Sequence, residues 1–209
     1  MAITIQINPH HPDNDTILKA IEFITAGKTI AFPTETFYAL GASAYHEEAL
    51  KKVFAIKGRD SDKPLSLLIE GEAMLKEVVS EIPTLATTLM REFWPGGLTL
   101  IFKASAKIPP LVTAHMDTVA VRNPSHPIAR MLVKAAKCPL TATSANLSGE
   151  KSCSSAGEVV KSLGNTVDLI IDGGQTEGLL PSTIVDLTST SPKIAREGII
   201  SSKQLKTFF

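Results

Sequence analysis

Short apolar segments alternate with amphipathic helical segments along nearly the whole chain, and this alternation restricts the possible folds more than any other feature. A helical pattern is present in DNDTILKAIEFITAGK, EEALKKVFAIKGR, GEAMLKEVV, PTLATTLMREFW, HPIARMLVKAAK and AGEVVKSLG, and SSKQLKTFF allows a short helical tail. Strands are indicated at TIAF, KPLSLLIE, GGLTLIF, DTVAVR, PLTAT, VDLIID, STIVDLT and PKIAR. Because helices and strands mix without a strict βαβ order, we expect an α/β fold of the mixed α+β kind, with a mixed sheet and helices packed on it.

The length of the chain, 209 residues, is enough for one sizeable core or two small domains. Hydrophobic residues make up 44% and charged residues 20%, which is typical of a globular protein and argues against disorder. No internal repeat, low-complexity tract or Pro/Ser-rich linker interrupts the sequence. We therefore predict a single domain over residues 1–209.

The charge balance and the N-terminal sequence bear on partners and location. The formal net charge is zero, which removes the simplest argument for a protein that coats nucleic acid or a membrane surface, although a local basic face is still allowed. The N-terminal residues show no basic stretch followed by a long apolar run, so we expect no signal peptide. The apolar stretches are far shorter than the roughly 20 residues that span a bilayer. We predict a soluble, cytoplasmic protein.

Most common enzyme motifs are missing from the sequence. It contains no P-loop, no G-x-G-x-x-G after a strand and no G-x-S-x-G. Cys138 and Cys153 show no metal or redox spacing, and the five histidines lack the spacing of metal ligands. We therefore predict that no metal is held by protein side chains.

Two cations stand at the end of one predicted helix. Lys57 continues an apolar stripe that begins at Leu50 with i, i+3, i+4, i+7 spacing, so its side chain must either reach out to solvent or meet an anion. Gly58 allows a sharp turn that brings Arg59 beside Lys57. Binding of a phosphate or carboxylate explains the pair, and so does a solvated helix C-terminus, which favours cations.

Polar side chains also lie at the ends of predicted strands. In DTVAVR, strand alternation places Thr118, Ala120 and Arg122 on one face, as a polar platform or as a water-exposed edge. In TATSANLSG, Ser144 and Asn146 follow a strand, where they could bind a ligand or cap the next element.

Two further polar positions occur near the C-terminus. Ser182 lies at a strand start in PSTIVDL, and Arg196 precedes a glycine in IAREG. Together with the earlier groups, they describe a site of Lys, Arg, Ser, Thr and Asn without a nucleophile. Such a site suits an anionic ligand and chemistry achieved by positioning and charge stabilisation.

Taken in order, these segments resemble the YrdC/TsaC family, the threonylcarbamoyl-AMP synthases. The resemblance extends from about Asp15 to Gly198 and is carried by FPTETFYALG, KGRDSDKPLSLLI, WPGGLTLIF, VAVRNPSHPIA, TATSANLSG, DGG, PSTIVDL and REG. It implies an open α/β fold with a twisted sheet and a deep basic concave face. It also implies the short, single-domain form of the family.

The resemblance further implies a reaction and the residues that serve it. L-Threonine, bicarbonate and ATP with Mg²⁺ would give threonylcarbamoyl-AMP and pyrophosphate, for the threonylcarbamoyladenosine (t6A) modification of tRNA by partner proteins that receive the intermediate. By this resemblance Lys57 and Arg59 are catalytic. The implied contacts to threonine or carbamate are Thr34, Arg59, Arg122 and Ser182, and those to ATP are Lys57, Thr118, Ser144, Asn146 and Arg196.

Two alternatives to a working synthase stay open at this point. The C-terminal sequence STIVDLTSTSPKIAREG also resembles the YciO branch of the family, which suggests a nucleotide binder without synthase activity. The other alternative is a module that binds double-stranded RNA or tRNA through the basic face. Neutral net charge counts against that second alternative, because nucleic-acid backbone binding needs several cationic contacts.

Overall fold

The structure, a computed structural model, describes residues 2–58 and 62–209 and confirms the predicted mixed α/β class. Arg59 lies outside the described residues. In chain order, the elements are β1 (Ile3–Gln6), α1 (Asn14–Thr25), β2 (Ile30–Phe32), β3 (Ala39–Gly41), α2 (Glu47–Lys57), β4 (Leu67–Leu68), α3 (Gly71–Val78), α4 (Thr84–Phe93), β5 (Leu98–Lys103), α5 (Pro110–Thr113), β6 (Thr118–Arg122), α6 (Pro127–Ala136), β7 (Leu140–Thr141), β8 (Thr143–Ser144), α7 (Ala156–Leu163), β9 (Leu169–Asp172), β10 (Thr183–Asp186), β11 (Lys193–Arg196) and α8 (Ser202–Leu205).

The strands form two mixed sheets rather than the one sheet that we expected. The first has five strands in the order β1-β9-β2-β3-β8, with β1, β9 and β2 parallel and the β2–β3 and β3–β8 pairs antiparallel. The second has six strands in the order β11-β10-β5-β6-β4-β7, in which only β10–β5 and β4–β6 are parallel among the described pairs. Both sheets combine parallel and antiparallel pairs, as the irregular order of helices and strands in the sequence predicted.

Helix α1 shows how the sequence pattern becomes packing. Its N-cap is Asp13, whose carboxylate accepts a hydrogen bond of 2.8 Å from the backbone N–H of Thr16. The helix buries Ile17, Ala20 and Ile24 in an apolar cluster that also contains side chains of α6 and of the first sheet. The amphipathic face of α1 therefore covers one side of that sheet.

Helix α2 confirms the predicted buried stripe. Leu50, Val53, Phe54 and Lys57 are all buried, so the lysine lies on the apolar face of the helix. The helix ends at Gly58, whose φ of 53° is left-handed and lets the backbone turn out of the helix.

Three short elements were not predicted, namely β1, β3 and α5, and the single strand predicted at PLTAT is divided into the two short strands β7 and β8. They contain between two and four residues, which is too short for a hydrophobic period to stand out. The strands are nevertheless important for the site, because β3 and β8 form the edge of the first sheet that faces the second. No helix within residues 2–58 and 62–209 is long and apolar enough to cross a membrane.

Candidate functional site

A cleft of about 380 Å³ lies between the two sheets. The first sheet contributes β3, β8 and the loop that precedes β3, and the second contributes β4, β5, β6, β10 and β11. Five of the predicted site residues line this cleft: Thr34, Arg122, Ser144, Ser182 and Arg196. Residues more than 150 positions apart in the sequence therefore meet at one place, which is the strongest structural support for a site.

The segment FPTETFYALG forms the turn from β2 into β3. The hydroxyl of Thr34 donates a hydrogen bond of 2.7 Å to the carbonyl oxygen of Phe37, and the backbone N–H of Thr34 donates to the same oxygen at 3.2 Å. The hydroxyl of Thr34 also accepts from the backbone N–H of Thr36 at 3.2 Å and lies 3.0 Å from the Thr36 hydroxyl. The Thr34 hydroxyl is thus used within its own turn, and its contact with a substrate stays a prediction.

Arg122, at the end of β6, is held by the same turn. Its Nη1 donates to the hydroxyl of Thr36 at 3.2 Å and lies 3.2 Å from Oε1 of Glu35. The side chains are well buried, with 8% of Arg122 and 14% of Glu35 exposed. Within the described chain Oε1 of Glu35 accepts no hydrogen bond, so its contact with Arg122 is a charge interaction with poor hydrogen-bond alignment.

Arg196, on β11, is fixed to Ser182. Its Nε and Nη2 donate to the carbonyl oxygen of Ser182 at 3.1 and 2.9 Å, and Nη2 also donates to the Ser182 hydroxyl at 2.9 Å. The hydroxyl of Thr99, on β5, donates to the same Ser182 oxygen at 2.9 Å. Two predicted residues and one that the sequence did not indicate therefore form one hydrogen-bonded group in the cleft wall.

The segments PST and REG are joined by Thr183. Its hydroxyl donates to the carbonyl oxygen of Ile200 at 2.6 Å and accepts from the backbone N–H groups of Gly198 and Ile200 at 2.9 and 3.0 Å. A Cβ at Gly198 would lie 2.1 Å from the carbonyl oxygen of Pro181, so only glycine permits this close approach of the two segments.

The cleft carries an excess of positive charge. Burial, together with the positive charge of Arg122, lowers the pKa of the Arg196 guanidinium. The two guanidiniums thus repel each other electrostatically within one cleft. Glu35 supplies a single negative charge next to Arg122. An anion placed between the arginines would be attracted by both, as we expected for the basic concave face.

A smaller cavity of about 270 Å³ adjoins the cleft and shares Thr143, Ser144 and Ser152 with it. Lys57 and Asn146 line this second cavity. Lys57 therefore lies close to Ser144 and Asn146, two of the other residues predicted to bind ATP, although it belongs to a different element.

The ammonium group of Lys57 is directed at the SAN segment. It donates to the carbonyl oxygens of Ser144 and Asn146 at 2.6 and 2.5 Å, and to Oδ1 of Asn146 at 3.0 Å. Its side chain is 3% exposed. The sequence left open whether this lysine reaches solvent or meets an anion, and in this structure its ammonium group donates to backbone carbonyl oxygens, so it holds the turn after β8 in place.

The structure does not bring Thr118 together with the other predicted residues. Thr118 begins β6 and pairs with Lys103, whereas Arg122 ends the strand, about 13 Å away at about 3.3 Å per residue. In the part of the chain that the structure describes, Thr118 lines neither cavity. Strand alternation correctly placed Thr118 and Arg122 on one face but could not tell which end of the strand reaches the cleft.

Tyr38 is a further residue that the sequence did not single out. It is fully buried, its hydroxyl donates to the carbonyl oxygen of Gly174 at 2.7 Å, and it accepts from the backbone N–H of Gly173 at 3.2 Å. Burial, and next the charge of Asp172, raises the pKa of Tyr38, so the phenol stays neutral. Tyr38 thereby ties the DGG segment after β9 to the cleft wall.

Among the described residues, no group of three or more His, Cys, Asp and Glu side chains is arranged to hold a metal ion. The residues that line the cleft offer hydroxyls and guanidiniums, which suit anionic oxygens rather than cations.

Comparison with known proteins agrees with this geometry. The sequence model of the Sua5_yciO_yrdC family, described as telomere recombination, matches residues 22–198. The chain therefore belongs to this family, and the resemblance found in its motifs is confirmed.

Two curated relatives carry the name threonylcarbamoyl-AMP synthase. The protein from Pyrococcus abyssi is 42% identical over 187 residues, which are 90% of this chain and 55% of the relative. The protein from Bacillus subtilis is 38% identical over 205 residues, 98% of this chain and 58% of the relative. The chain thus spans little more than half the length of these two proteins.

Two solved structures share the fold. The crystal structure of P. abyssi Sua5 complexed with L-threonine superposes with a TM-score of 0.95 at 40% identity, over 99% of this chain and 61% of that one. The crystal structure of E. coli YciO superposes with a TM-score of 0.89 at 30% identity, over 98% of this chain and 99% of that one.

Proposed function

We propose that this chain is an L-threonylcarbamoyladenylate synthase, which forms threonylcarbamoyl-AMP and pyrophosphate from L-threonine, bicarbonate and ATP. The observation that carries the proposal is the pair of guanidiniums, Arg122 and Arg196, in one hydroxyl-lined cleft. Further support comes from the relatives of that name and from the similar protein whose crystal structure contains L-threonine.

The chemistry fits a site that acts by charge and position. The amine of threonine first forms a bond to the carbon of bicarbonate, with loss of water, to give a carbamate. A carbamate oxygen then forms a bond to the α-phosphorus of ATP, and pyrophosphate leaves with the electron pair of the broken P–O bond. Each partner is anionic, so cations that draw them together and stabilise the transition state are the principal requirement. No covalent intermediate on the protein is needed.

Mg²⁺ is proposed as part of the ATP substrate rather than as a resident of the protein. Glu35 is occupied by Arg122, and the cleft offers hydroxyl groups instead of a cluster of carboxylates. Mg²⁺ bound through the ATP phosphates would neutralise part of their charge and activate the pyrophosphate leaving group.

We assign the amino acid and its carbamate to the side of the cleft formed by Thr34, Arg122 and Ser182. We assign ATP to the side formed by Ser144 and Arg196, extending towards Lys57 and Asn146 in the adjoining cavity. For Lys57 the proposed role is to hold the turn that contacts ATP. Arg59 keeps its proposed contact with substrate charge, while Thr118 is given no ligand contact because of its distance from the cleft.

The proposed product is a reactive mixed anhydride that must be passed on. We propose that it serves the t6A modification of tRNA in the cytoplasm, through partner proteins that receive threonylcarbamoyl-AMP. Residues 1–209 would then act as one catalytic domain. Its two sheets are joined at the cleft by Thr141, which pairs with Leu67 in the second sheet and bonds Ala42 beside the first.

The direct test is mass-spectrometric detection of threonylcarbamoyl-AMP from the purified chain with L-threonine, bicarbonate, ATP and Mg²⁺. The product should vanish when either threonine or bicarbonate is omitted, and it should fall severely in Arg122→Ala. A folded protein that binds ATP and yet forms no product under these conditions would contradict the proposal.

The second candidate is a YciO-like protein that binds nucleotide or RNA without synthase activity. The observation that favours it is the match to E. coli YciO over nearly the full length of both chains. Tight binding of tRNA that weakens steeply with salt, together with no threonine-dependent pyrophosphate release, would support this candidate over the synthase.

A further inference from the structure

The hydroxyl group of Ser182 lies at the centre of a small hydrogen-bonded group in the cleft wall. Thr99 Oγ1 and Arg196 Nη2 both donate to Ser182 Oγ, each at 2.9 Å. Thr99 is 3% and Ser182 is 9% exposed, so water has little access to the contact between them. The proposed function uses Ser182 and Arg196, whereas Thr99 has no assigned role.

The direction of these hydrogen bonds fixes what the Ser182 hydroxyl can still do. A serine hydroxyl has one proton to donate and two lone pairs that accept. Both lone pairs are engaged, one by Thr99 and the other by Arg196. Within the described residues, no protein group accepts the Ser182 proton. That proton is therefore left for an acceptor in the cleft.

The surroundings hold this arrangement in place. Strands β5 and β10 pair in parallel with Thr99 opposite Ile184, and this register brings Thr99 beside Ser182. Arg196 donates two hydrogen bonds to the carbonyl oxygen of Ser182. The hydroxyl of Thr183 donates to the carbonyl oxygen of Ile200 and so holds the segment after β11. Rotation of the Ser182 hydroxyl towards Thr99 would place two protons between the same oxygens, unless Thr99 also turned.

We propose that Thr99 is a positioning residue that fixes the Ser182 hydroxyl as a hydrogen-bond donor to an oxygen of the bound ligand. A carboxylate or carbamate oxygen accepts hydrogen bonds only, so it matches this donor, and a group that presents protons to Ser182 is rejected. The identification of that oxygen with threonine or its carbamate rests on the proposed function, but the orientation of the hydroxyl does not.

A double-mutant cycle measures whether Thr99 acts through Ser182. Thr99→Val removes the donor at nearly constant volume, and we expect the Kd for L-threonine to rise by roughly fivefold to tenfold, as for the loss of one hydrogen bond between uncharged groups. Thr99→Ser should recover most of the affinity. In a Ser182→Ala background, Thr99→Val should have little further effect.

A matched control separates positioning from general stability. Thr113 is also buried, and its hydroxyl donates to the carbonyl oxygen of Pro110 in α5, outside the residues that line the cleft. Thr113→Val should lower the melting temperature without changing the Kd for L-threonine. Equal effects of Thr99→Val with and without Ser182, or a failure of Thr99→Ser to restore binding, would overturn the proposal.

Neutron diffraction of the free, deuterium-exchanged protein tests the orientation without any ligand. We expect the Thr99 deuteron between Thr99 Oγ1 and Ser182 Oγ, and the Ser182 deuteron directed into the cleft. A Ser182 deuteron that points to Thr99 Oγ1 would overturn the inference. If the wild type binds no L-threonine, the proposed function fails, while the deuteron positions still decide the role of Thr99.

Discussion

Arg122 and Arg196 line the same cleft, and burial together with the charge of Arg122 lowers the pKa of the Arg196 guanidinium. Each is oriented by a hydroxyl-bearing segment, Arg122 by the turn that contains Thr36 and Arg196 by Ser182. The two cations are therefore held near each other before any ligand arrives. Such pre-organised charge stabilises a transition state without a large rearrangement of the site.

Removal of either guanidinium should abolish most of the proposed activity. We expect Arg122→Ala and Arg196→Ala each to lower kcat/KM for threonylcarbamoyl-AMP formation by about a hundredfold or more, the usual effect of losing one transition-state donor. Arg91→Ala, at an exposed position of α4, is the control and should leave kcat/KM unchanged. Wild-type rates in both cleft variants would show that the arginines are not the charge-stabilising groups.

Neutralisation of Glu35 should reveal its role as the counterion of Arg122. We expect Glu35→Gln to lower the free energy of unfolding by about 3–5 kcal/mol, because one partner of a buried ion pair is left without compensation. Because Arg122 then lacks its partner, pyrophosphate should raise the melting temperature of this variant more than that of the wild type. Thermal and urea unfolding measure both effects, and an unchanged stability would contradict the assigned ion pair.

His126 should make stability depend on pH in a defined direction. Burial lowers the pKa of His126 from its usual 6.5, against a smaller opposite effect of Glu35. Within the described chain, Nδ1 of His126 makes no hydrogen bond. The residue also lies at the N-terminus of α6, where the helix dipole disfavours a positive charge. The nearby charged groups are Glu35, His10 and Glu177.

The sign of the pH effect follows from proton uptake. Below pH 6.5 the unfolded chain binds the proton at His126 more readily than the folded chain, so stability falls as the pH decreases through and below that value. We expect His126→Gln to reduce this loss in urea unfolding measured between about pH 5 and 7.5. His11→Gln, at an exposed position, serves as control and should keep the wild-type slope.

Replacement of Lys57 should destabilise the turn at SAN, residues 144–146, rather than change the charge of the cleft. We expect Lys57→Met, which keeps much of the aliphatic side chain, to lower stability by about 1–3 kcal/mol because carbonyl oxygens of Ser144 and Asn146 lose their donor. Weaker ATP binding should follow from the displaced turn. Lys63→Met is the control for stability. Lys63 lines the same cavity at an exposed position, so this variant should unfold at the same free energy as the wild type. Lower ATP affinity without any loss of stability would instead indicate a direct phosphate contact.

The sequence predicted which residue types line the cleft better than the contacts these residues make with one another. The helical period correctly buried Lys57, and the strand ends correctly supplied Arg122, Ser182 and Arg196 to one cleft. Such inferences succeed because the hydrophobic period of an element and the position of its end are local properties that the sequence carries. Lys57 meeting carbonyl oxygens, in contrast, depends on a segment 87 residues away, which no local pattern indicates.

The partners that orient the site residues were missed for a related reason. Glu35 and Thr36 stand beside Thr34 in the same motif, yet only the approach of β6 from the second sheet makes them contacts of Arg122. Thr99 sits inside an apolar strand, where a threonine is ordinary, and its role depends on the pairing of β5 with β10. The division into two sheets also escaped prediction, because β3 and β8 are too short to leave a pattern.

The hydrogen bonds of Thr183 anchor only one end of the β10–β11 hairpin. Arg196 is fixed at that end, while the connection at residues 187–192 lies at the opposite end of the two strands. Changes in the length of this connection therefore need not move the guanidinium. The hairpin tip is accordingly the place where this domain could accept an inserted peptide or a reporter label.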